Sequence, residues 1–119
     1  MPAGYLIAES IRPGSQLDGN AFILTRIERY SVDNATSDQP SAWTMIHFEF
    51  PEDRAESVAN ALADVLDAPG WYTNFDTLED KVVIFPGRVF RYPRGDEAAQ
   101  VEAEAYATTL GIPAPQLDW

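Results

Sequence analysis

Apolar and polar residues alternate along the first fifty positions in a way that predicts three β-strands. The clearest alternation runs over Phe22–Val32, a second runs over Trp43–Phe50, and the apolar stretch Tyr5–Ile11 precedes both. In Phe22–Val32 the even-numbered residues are expected to share one face, and in Trp43–Phe50 the even-numbered residues are expected to face the core. Polar stretches at Ser15–Asn20 and Asp33–Ser41 predict loops, the second of them flexible.

A helical pattern follows, from Pro51 to about Asp67. Apolar residues recur three or four positions apart, as on one face of an amphipathic helix. This stripe consists of Ala55, Val58, Ala59, Leu62, Val65 and Leu66. Proline is well tolerated in a first helical turn, and Ala68-Pro69-Gly70 ends the helix.

The next segment predicts a strand and a hairpin. The strand spans Trp71–Asp76, and the hairpin arms are Lys81–Phe85 and Arg88–Tyr92, joined by Pro86-Gly87. A tight turn would pair the arms so that both faces near the turn are apolar. The pattern therefore predicts either cover on both faces of the hairpin or an exposed adhesive tip.

A last helix is expected from Asp96, its N-cap, to Leu110. Gly111 suits the left-handed residue that ends a helix, and Ile112 can pack back on the last turn. The tail after Pro113 ends in Trp119, which we expect to dock on the body of the protein.

Together these elements predict one α+β domain over residues 1–119. Their order is β-β-β-α-β-β-β-α, and short connections favour antiparallel pairing. We expect a single twisted antiparallel sheet with two helices packed mostly on one face. A chain of 119 residues fits one domain.

Composition narrows the classes of function. The formal net charge is −11 and the sequence pI is about 4.2, which argues against nucleic-acid binding because phosphates would be repelled. The chain has no cysteine, no apolar run as long as a membrane span, and no segment with the pattern of a signal peptide. These features favour a cytoplasmic protein that binds neither nucleic acid nor membranes.

The basic stretch Lys81–Arg94 is the strongest candidate for a functional surface. It holds four of the eight basic residues and no acid, so its charge is +4 while the rest of the chain carries −15. The candidate binding residues are Lys81, Arg88, Arg91, Tyr92, Trp71 and Tyr72. They would form an aromatic-walled anion site or a partner surface. Alternatively, the bases pair with local acids and protect a strand edge.

A second candidate is a pocket between sheet and helices near His47, the single histidine of the chain. Trp43, His47, Glu49 and Trp71 would line it. One histidine with carboxylates is a weak pattern for zinc, and no nucleophile motif accompanies it. We expect no metal, no cofactor and no catalytic residue, and the simplest alternative is a strand histidine hydrogen-bonded to a neighbour.

Three motifs of the second half resemble a group of small uncharacterised bacterial proteins. They are Trp71-Tyr72-x-x-Phe75, Val83-Ile84-Phe85 with Val89-Phe90-Arg91, and Leu110-Gly111-Ile112-Pro113-x-x-Gln116-Leu117-Asp118-Trp119. The resemblance covers roughly residues 70–119. It implies that hairpin, helix and tail form one recurring unit, and it implies no activity and no site residues.

The leading hypothesis is a non-enzymatic interaction module that presents the hairpin of residues 81–94 to a protein partner or to a second copy in a homodimer. Aromatic residues and arginine are enriched at such interfaces. The alternative is a small-molecule or anion-binding protein, or a small enzyme, using the pocket near His47. A third hypothesis is an acidic inhibitor that mimics DNA.

Overall fold

The computed structural model describes residues 1–18, 22–117 and 119. Within them the chain forms six strands and two helices in the predicted order. The elements are β1 (Ala3–Ile7), β2 (Ile23–Ser31), β3 (Ala42–Glu49), α1 (Ala55–Val65), β4 (Thr73–Asp76), β5 (Asp80–Phe85), β6 (Arg88–Pro93) and α2 (Glu97–Thr109). The turn predicted around Gly19 and Asn20 lies outside the described residues.

The six strands form one antiparallel sheet in the order β2-β3-β1-β4-β5-β6. The α+β class and the antiparallel sheet are confirmed. β1 lies in the middle, where Gly4 pairs with Phe48 of β3 on one side and with Phe75 of β4 on the other. A Cβ atom on Gly4 would lie 3.3 Å from the Phe48 ring, so glycine allows the two rings to pack over the centre of the sheet.

The two helices lie on opposite faces of the sheet, so the prediction that both pack mostly on one face is wrong. Successive residues of a strand point to opposite faces. In β5, Val82 and Ile84 belong to the core cluster that includes α1, whereas Val83 and Phe85 belong to the cluster that includes α2. The residues of β5 are apolar on both faces because both faces are covered, but the sequence pattern does not show which helix packs on which face. We call these faces the α1 face and the α2 face.

The amphipathic stripe of α1 is confirmed, because all six of its predicted residues are buried. The helix is shorter than predicted. A 3₁₀ turn at Glu52–Arg54 precedes it, and Leu66 already has an extended backbone. Leu66 then forms an isolated bridge with Ile11, which fastens the end of the helix to the chain that follows β1.

A β-bulge in β2 changes which of its residues share a face. Leu24 pairs with Phe48 before the bulge, and Arg26 pairs with the adjacent residue His47 after it. Leu24 and Arg26 therefore point to opposite faces, and the prediction that the even-numbered residues share one face is wrong. After the bulge, Tyr30 belongs to the α2 face.

The hairpin and the last helix follow the sequence closely. Ile84 pairs with Val89, the register predicted for a tight turn. The side chain of Asp96 caps α2 by accepting a hydrogen bond from the Ala99 amide at 3.1 Å. Gly111 has a φ of +81° at the other end, a conformation that favours glycine.

The C-terminal tail docks on the α2 face, as predicted. Ile112 is buried, and the Trp119 ring lies 5.1 Å from the ring of Tyr72 and 6.3 Å from that of Phe85. The Trp119 carbonyl also accepts a hydrogen bond from the Gln100 side chain at 3.1 Å. The tail therefore extends the cover that α2 provides on this face.

Candidate functional site

The bases of the hairpin are largely occupied by neighbouring acids. The Lys81 ammonium lies 2.7 Å from the carboxylate of Asp76, and the Arg91 guanidinium donates to Asp80 at 2.7 Å. The four apolar residues of β5 are at most 1% exposed, so this arm of the hairpin is covered on both faces, whereas Val89 and Phe90 of β6 are half-buried. The structure thus contains the ion pairs that the alternative interpretation of this stretch anticipated.

Arg88 and Tyr92 lie in different surroundings. The guanidinium of Arg88 lies 4.5 Å from the centre of the Phe90 ring and 4.8 Å from that of Tyr106, which is cation–π geometry. Tyr92 is 7% exposed, and burial raises the pKa of its phenol, with carboxylates such as that of Glu104 acting in the same direction. Arg88 is accessible on the surface, whereas Tyr92 belongs to the core beneath α2.

His47 and Glu49 lie on the α2 face of β3. The His47 Nε2 atom lies 2.8 Å from the Glu28 carboxylate and 3.4 Å from the Arg26 guanidinium. This network matches the expectation of a strand histidine bonded to its neighbours. Among the described residues, no group of three or more histidine and acidic side chains is arranged to hold a metal ion.

Three of the predicted residues, Trp43, Trp71 and Tyr72, come together in a cleft of about 170 Å³. We call it the aromatic cleft. The Trp43 and Trp71 rings lie 5.2 Å apart at 59°, and both tryptophans are less than 10% exposed. The full lining is Tyr5, Ile7, Tyr30, Val32, Asn34, Trp43, Gly70, Trp71, Tyr72, Pro115 and Gln116. His47 and Glu49 are not among these residues.

Hydrogen bonds of two buried glutamines, Gln39 and Gln116, fix the position of one wall of the aromatic cleft. The Gln39 amide donates to the Gly70 carbonyl at 2.8 Å, and Gln116 donates to the Gln39 side chain at 2.9 Å. Gln116 also donates to the Asn34 carbonyl at 2.6 Å, and the Tyr72 hydroxyl donates to the Gln116 carbonyl. The loop of residues 33–41, predicted to be flexible, is tied in this way to the C-terminal tail.

Little in the sequence indicates this glutamine pair. Gln39 lies in a polar loop without periodicity, and Gln116 lies 77 residues further along the chain. The one available signal was the presence of Gln116 in the tail motif Leu110–Trp119. A contact between two such distant polar residues requires the complete fold.

The edge strand β2 forms a second unusual surface. Every residue of this nine-residue strand is exposed, and it pairs with β3 alone. In the described part of the chain, four of the seven exposed large apolar residues lie on it. They are Ile23 (51% exposed), Leu24 (58%), Ile27 (59%) and Tyr30 (41%). The sequence predicted this strand but not its position at the edge of the sheet.

An apolar groove of about 440 Å³ adjoins β2 on the α1 face. Helix α1 packs over β5 and β6 and leaves this end of the sheet uncovered by a helix. The groove is lined by Leu6, Ile11, Ser15, Leu17, Phe22, Leu24, Ile46 and Phe48. Apolar surface therefore continues from the strand edge onto the sheet.

Glu9 fastens the neighbouring strands near this surface. Its carboxylate accepts hydrogen bonds from the Thr44 amide at 2.6 Å and the Thr44 hydroxyl at 2.9 Å, and it pairs with Arg29 at 3.1 Å. Partial burial raises the pKa of Glu9, but the hydrogen bonds together lower it by more than burial raises it. The pKa of Glu9 therefore lies below the usual 4.5. Glu9 therefore stabilises the strand pair in its ionised form.

Comparisons with protein-family models, with curated proteins and with solved structures found no match to this chain. Across residues 1–18, 22–117 and 119, no helix is long and apolar enough to cross a membrane. Two surfaces of the described residues are distinctive: the edge of β2 with its apolar groove, and the aromatic cleft.

Proposed function

We propose that the protein is a self-association module that forms a homodimer by pairing β2 with β2 of a second copy. The observation that carries the proposal is that every residue of this nine-residue edge strand is exposed, including four large apolar residues. The outer N–H and C=O groups of an edge strand are a template for pairing with another chain. Burial of the apolar side chains would add to those hydrogen bonds.

When two copies of β2 pair in an antiparallel arrangement, one register places opposite charges of the two copies next to each other. If the two strands pair about Ile27, Arg26 of each copy lies opposite Glu28 of the other, and both residues point to the α2 face. A register centred on Arg26, Glu28 or Arg29 would set that residue opposite its own copy. Directly opposed like charges destabilise a strand pair, so the register about Ile27 is favoured.

The opposite edge of the sheet is less suited to pairing. β6 has six residues and ends at Pro93, which cannot donate a backbone hydrogen bond. β2 also carries charges and a bulge, features that discourage strand addition in many proteins. In the register about Ile27, however, the charges of β2 attract each other across the interface.

The size of β2 sets the expected strength of the dimer. Standard interfaces use about 20–30 residues on each side, more than the nine residues of this strand. Contacts with the adjoining apolar groove would enlarge the interface. We therefore expect a dimer that dissociates on dilution in roughly the micromolar range.

Sedimentation velocity over a concentration series tests the proposal through a charge swap. Glu28→Arg places Arg26 opposite a second arginine and should give a monomer. Arg26→Glu combined with Glu28→Arg restores opposite charges and should restore the dimer. Val101→Glu, at a 63% exposed position on α2, is the matched control and should leave the dimer intact.

Two results would refute pairing through β2. One is a wild-type protein that stays monomeric at the highest concentration. The other is a dimer that is unaffected by Glu28→Arg. A variant carrying Arg88→Glu and Arg91→Glu belongs in the same series, because its dissociation would assign the interface to the hairpin of residues 81–94 instead.

A further inference from the structure

The aromatic cleft has a lining suited to binding a small ligand, a function separate from self-association. Five of its eleven lining residues are tyrosine or tryptophan, and Ile7 and Val32 supply aliphatic surface. None of the described residues that line it is acidic or basic. A ligand there meets aromatic rings, aliphatic carbon and amide groups.

The electrostatics of the cleft favour a positive charge on the ligand. The faces of aromatic rings are negative and attract a cation within about 6 Å of the ring centre. The formal net charge of −11 adds a field that concentrates cations and repels anions. A carboxylate or phosphate would find no basic side chain in the lining to pair with.

The size of the cleft limits the ligand group to a few heavy atoms. Its volume is about 170 Å³, and a protein cavity of about 150 Å³ is known to hold benzene. A trimethylammonium group has four heavy atoms, one nitrogen and three methyl carbons, and its surface is apolar despite its charge. Aromatic cages are the usual protein sites for such groups because the ring faces replace water around the methyl groups.

We propose that the aromatic cleft binds a quaternary ammonium group that packs against the rings lining it, those of Trp43, Trp71 and their tyrosine neighbours. Two sources share this chemistry, a small choline-like molecule and the side chain of a trimethylated lysine. The glutamine pair sets the wall of the site, because Gln116 holds the tail against the loop that contains Asn34. The ligand site thus depends on residues that lie 82 positions apart in the sequence.

Choline and 3,3-dimethyl-1-butanol are the first pair of probes, because they have the same shape and only choline is charged. Titrations are followed by the NMR signals of the tryptophan indole N–H groups. We expect choline to shift the signals of Trp43 and Trp71 and to bind about tenfold more tightly than the neutral alcohol. Equal binding of both probes, or no binding of choline, would overturn the proposal.

A trimethyllysine peptide, compared with the same peptide carrying unmodified lysine, distinguishes the two sources. Tighter binding of the methylated peptide than of choline assigns the site to a modified protein, and the reverse assigns it to a small molecule. Tyr30→Ala should weaken choline binding about threefold to tenfold, because Tyr30 is a 41% exposed residue of the cleft wall. Leu78→Ala, at an 82% exposed position that does not line the cleft, is the control. If it weakens choline binding as much as Tyr30→Ala does, the cleft assignment fails.

Discussion

The substitution Gly70→Ala tests whether the contact between Gly70 and the Gln39 side chain contributes to the free energy of unfolding. Gly70 has a φ of +89°, and a Cβ atom built there would lie 3.3 Å from the Gln39 amide nitrogen. That nitrogen donates to the Gly70 carbonyl at 2.8 Å. The new methyl group therefore strains the backbone and displaces a buried amide at the same time.

Gly95→Ala is the matched control, because Gly95 also has a φ of +89° and its Cβ would meet nothing within 4 Å. The backbone strain alone costs about 1–2 kcal/mol at either position. At Gly70 the displaced Gln39 amide adds about 1–3 kcal/mol, the cost of leaving a buried polar group unpaired. We expect Gly70→Ala to lower the free energy of unfolding by about 1–3 kcal/mol more than Gly95→Ala.

Urea denaturation followed by tryptophan fluorescence measures both variants. Repeating the comparison in a Gln39→Ala background should remove most of the excess cost of Gly70→Ala, because the displaced amide is then absent. If Gly70→Ala and Gly95→Ala lower the free energy of unfolding equally in the wild-type background, the Gln39 side chain moves aside without destabilising the fold. The reasoning about the glutamine pair would then be wrong.

Three further predictions concern the core, the second helix and acid stability. Phe85→Ala should destabilise the fold by about 3–5 kcal/mol, because Phe85 is fully buried, whereas Leu78→Ala at an 82% exposed position should change stability by less than about 0.5 kcal/mol in the same urea assay. Asp96→Ala removes the N-cap of α2 and should cost about 1 kcal/mol, measured as a lower urea midpoint. Because the fold lowers the pKa of Glu9, the ionised carboxylate stabilises the folded protein above about pH 4.5, and this stabilisation disappears as the pH falls through the pKa of the folded state. The Glu9→Gln variant should therefore have a lower free energy of unfolding than the wild type at pH 7, and that free energy should fall less when the pH is lowered. A Glu9→Gln profile parallel to that of the wild type would contradict this assignment.

Local patterns predicted the elements whose causes are local. The stripe of α1, the register about Ile84 and Val89, and the cap at Asp96 depend on residues within a few positions of one another. Periodicity, turn chemistry and capping rules describe such short-range causes directly. The docking of Trp119 on the body of the protein was predicted on a different ground, that an exposed tail gains nothing from a large aromatic residue.

Long-range features could not be read in this way. The bulge after Leu24 depends on how β2 matches β3, and the alternation of β2 continues through it in the sequence. Of the residues predicted to line a pocket, Trp43 and Trp71 meet in the aromatic cleft, whereas His47 pairs with Glu28 outside it. The sequence placed these residues on strands, but only the strand order decides which side chains share a cavity.

The central position of β1 has a consequence for how the protein is made. Strand β1 (Ala3–Ile7) is synthesised before the other five strands of the sheet, but its two neighbours are β3 and β4, and β4 ends at Asp76. A nascent chain that has completed β3 can form a three-stranded sheet whose β1 edge still lacks its partner. We expect this stage of synthesis to be the one most exposed to aggregation and most helped by a chaperone, because an open strand edge pairs readily with other chains.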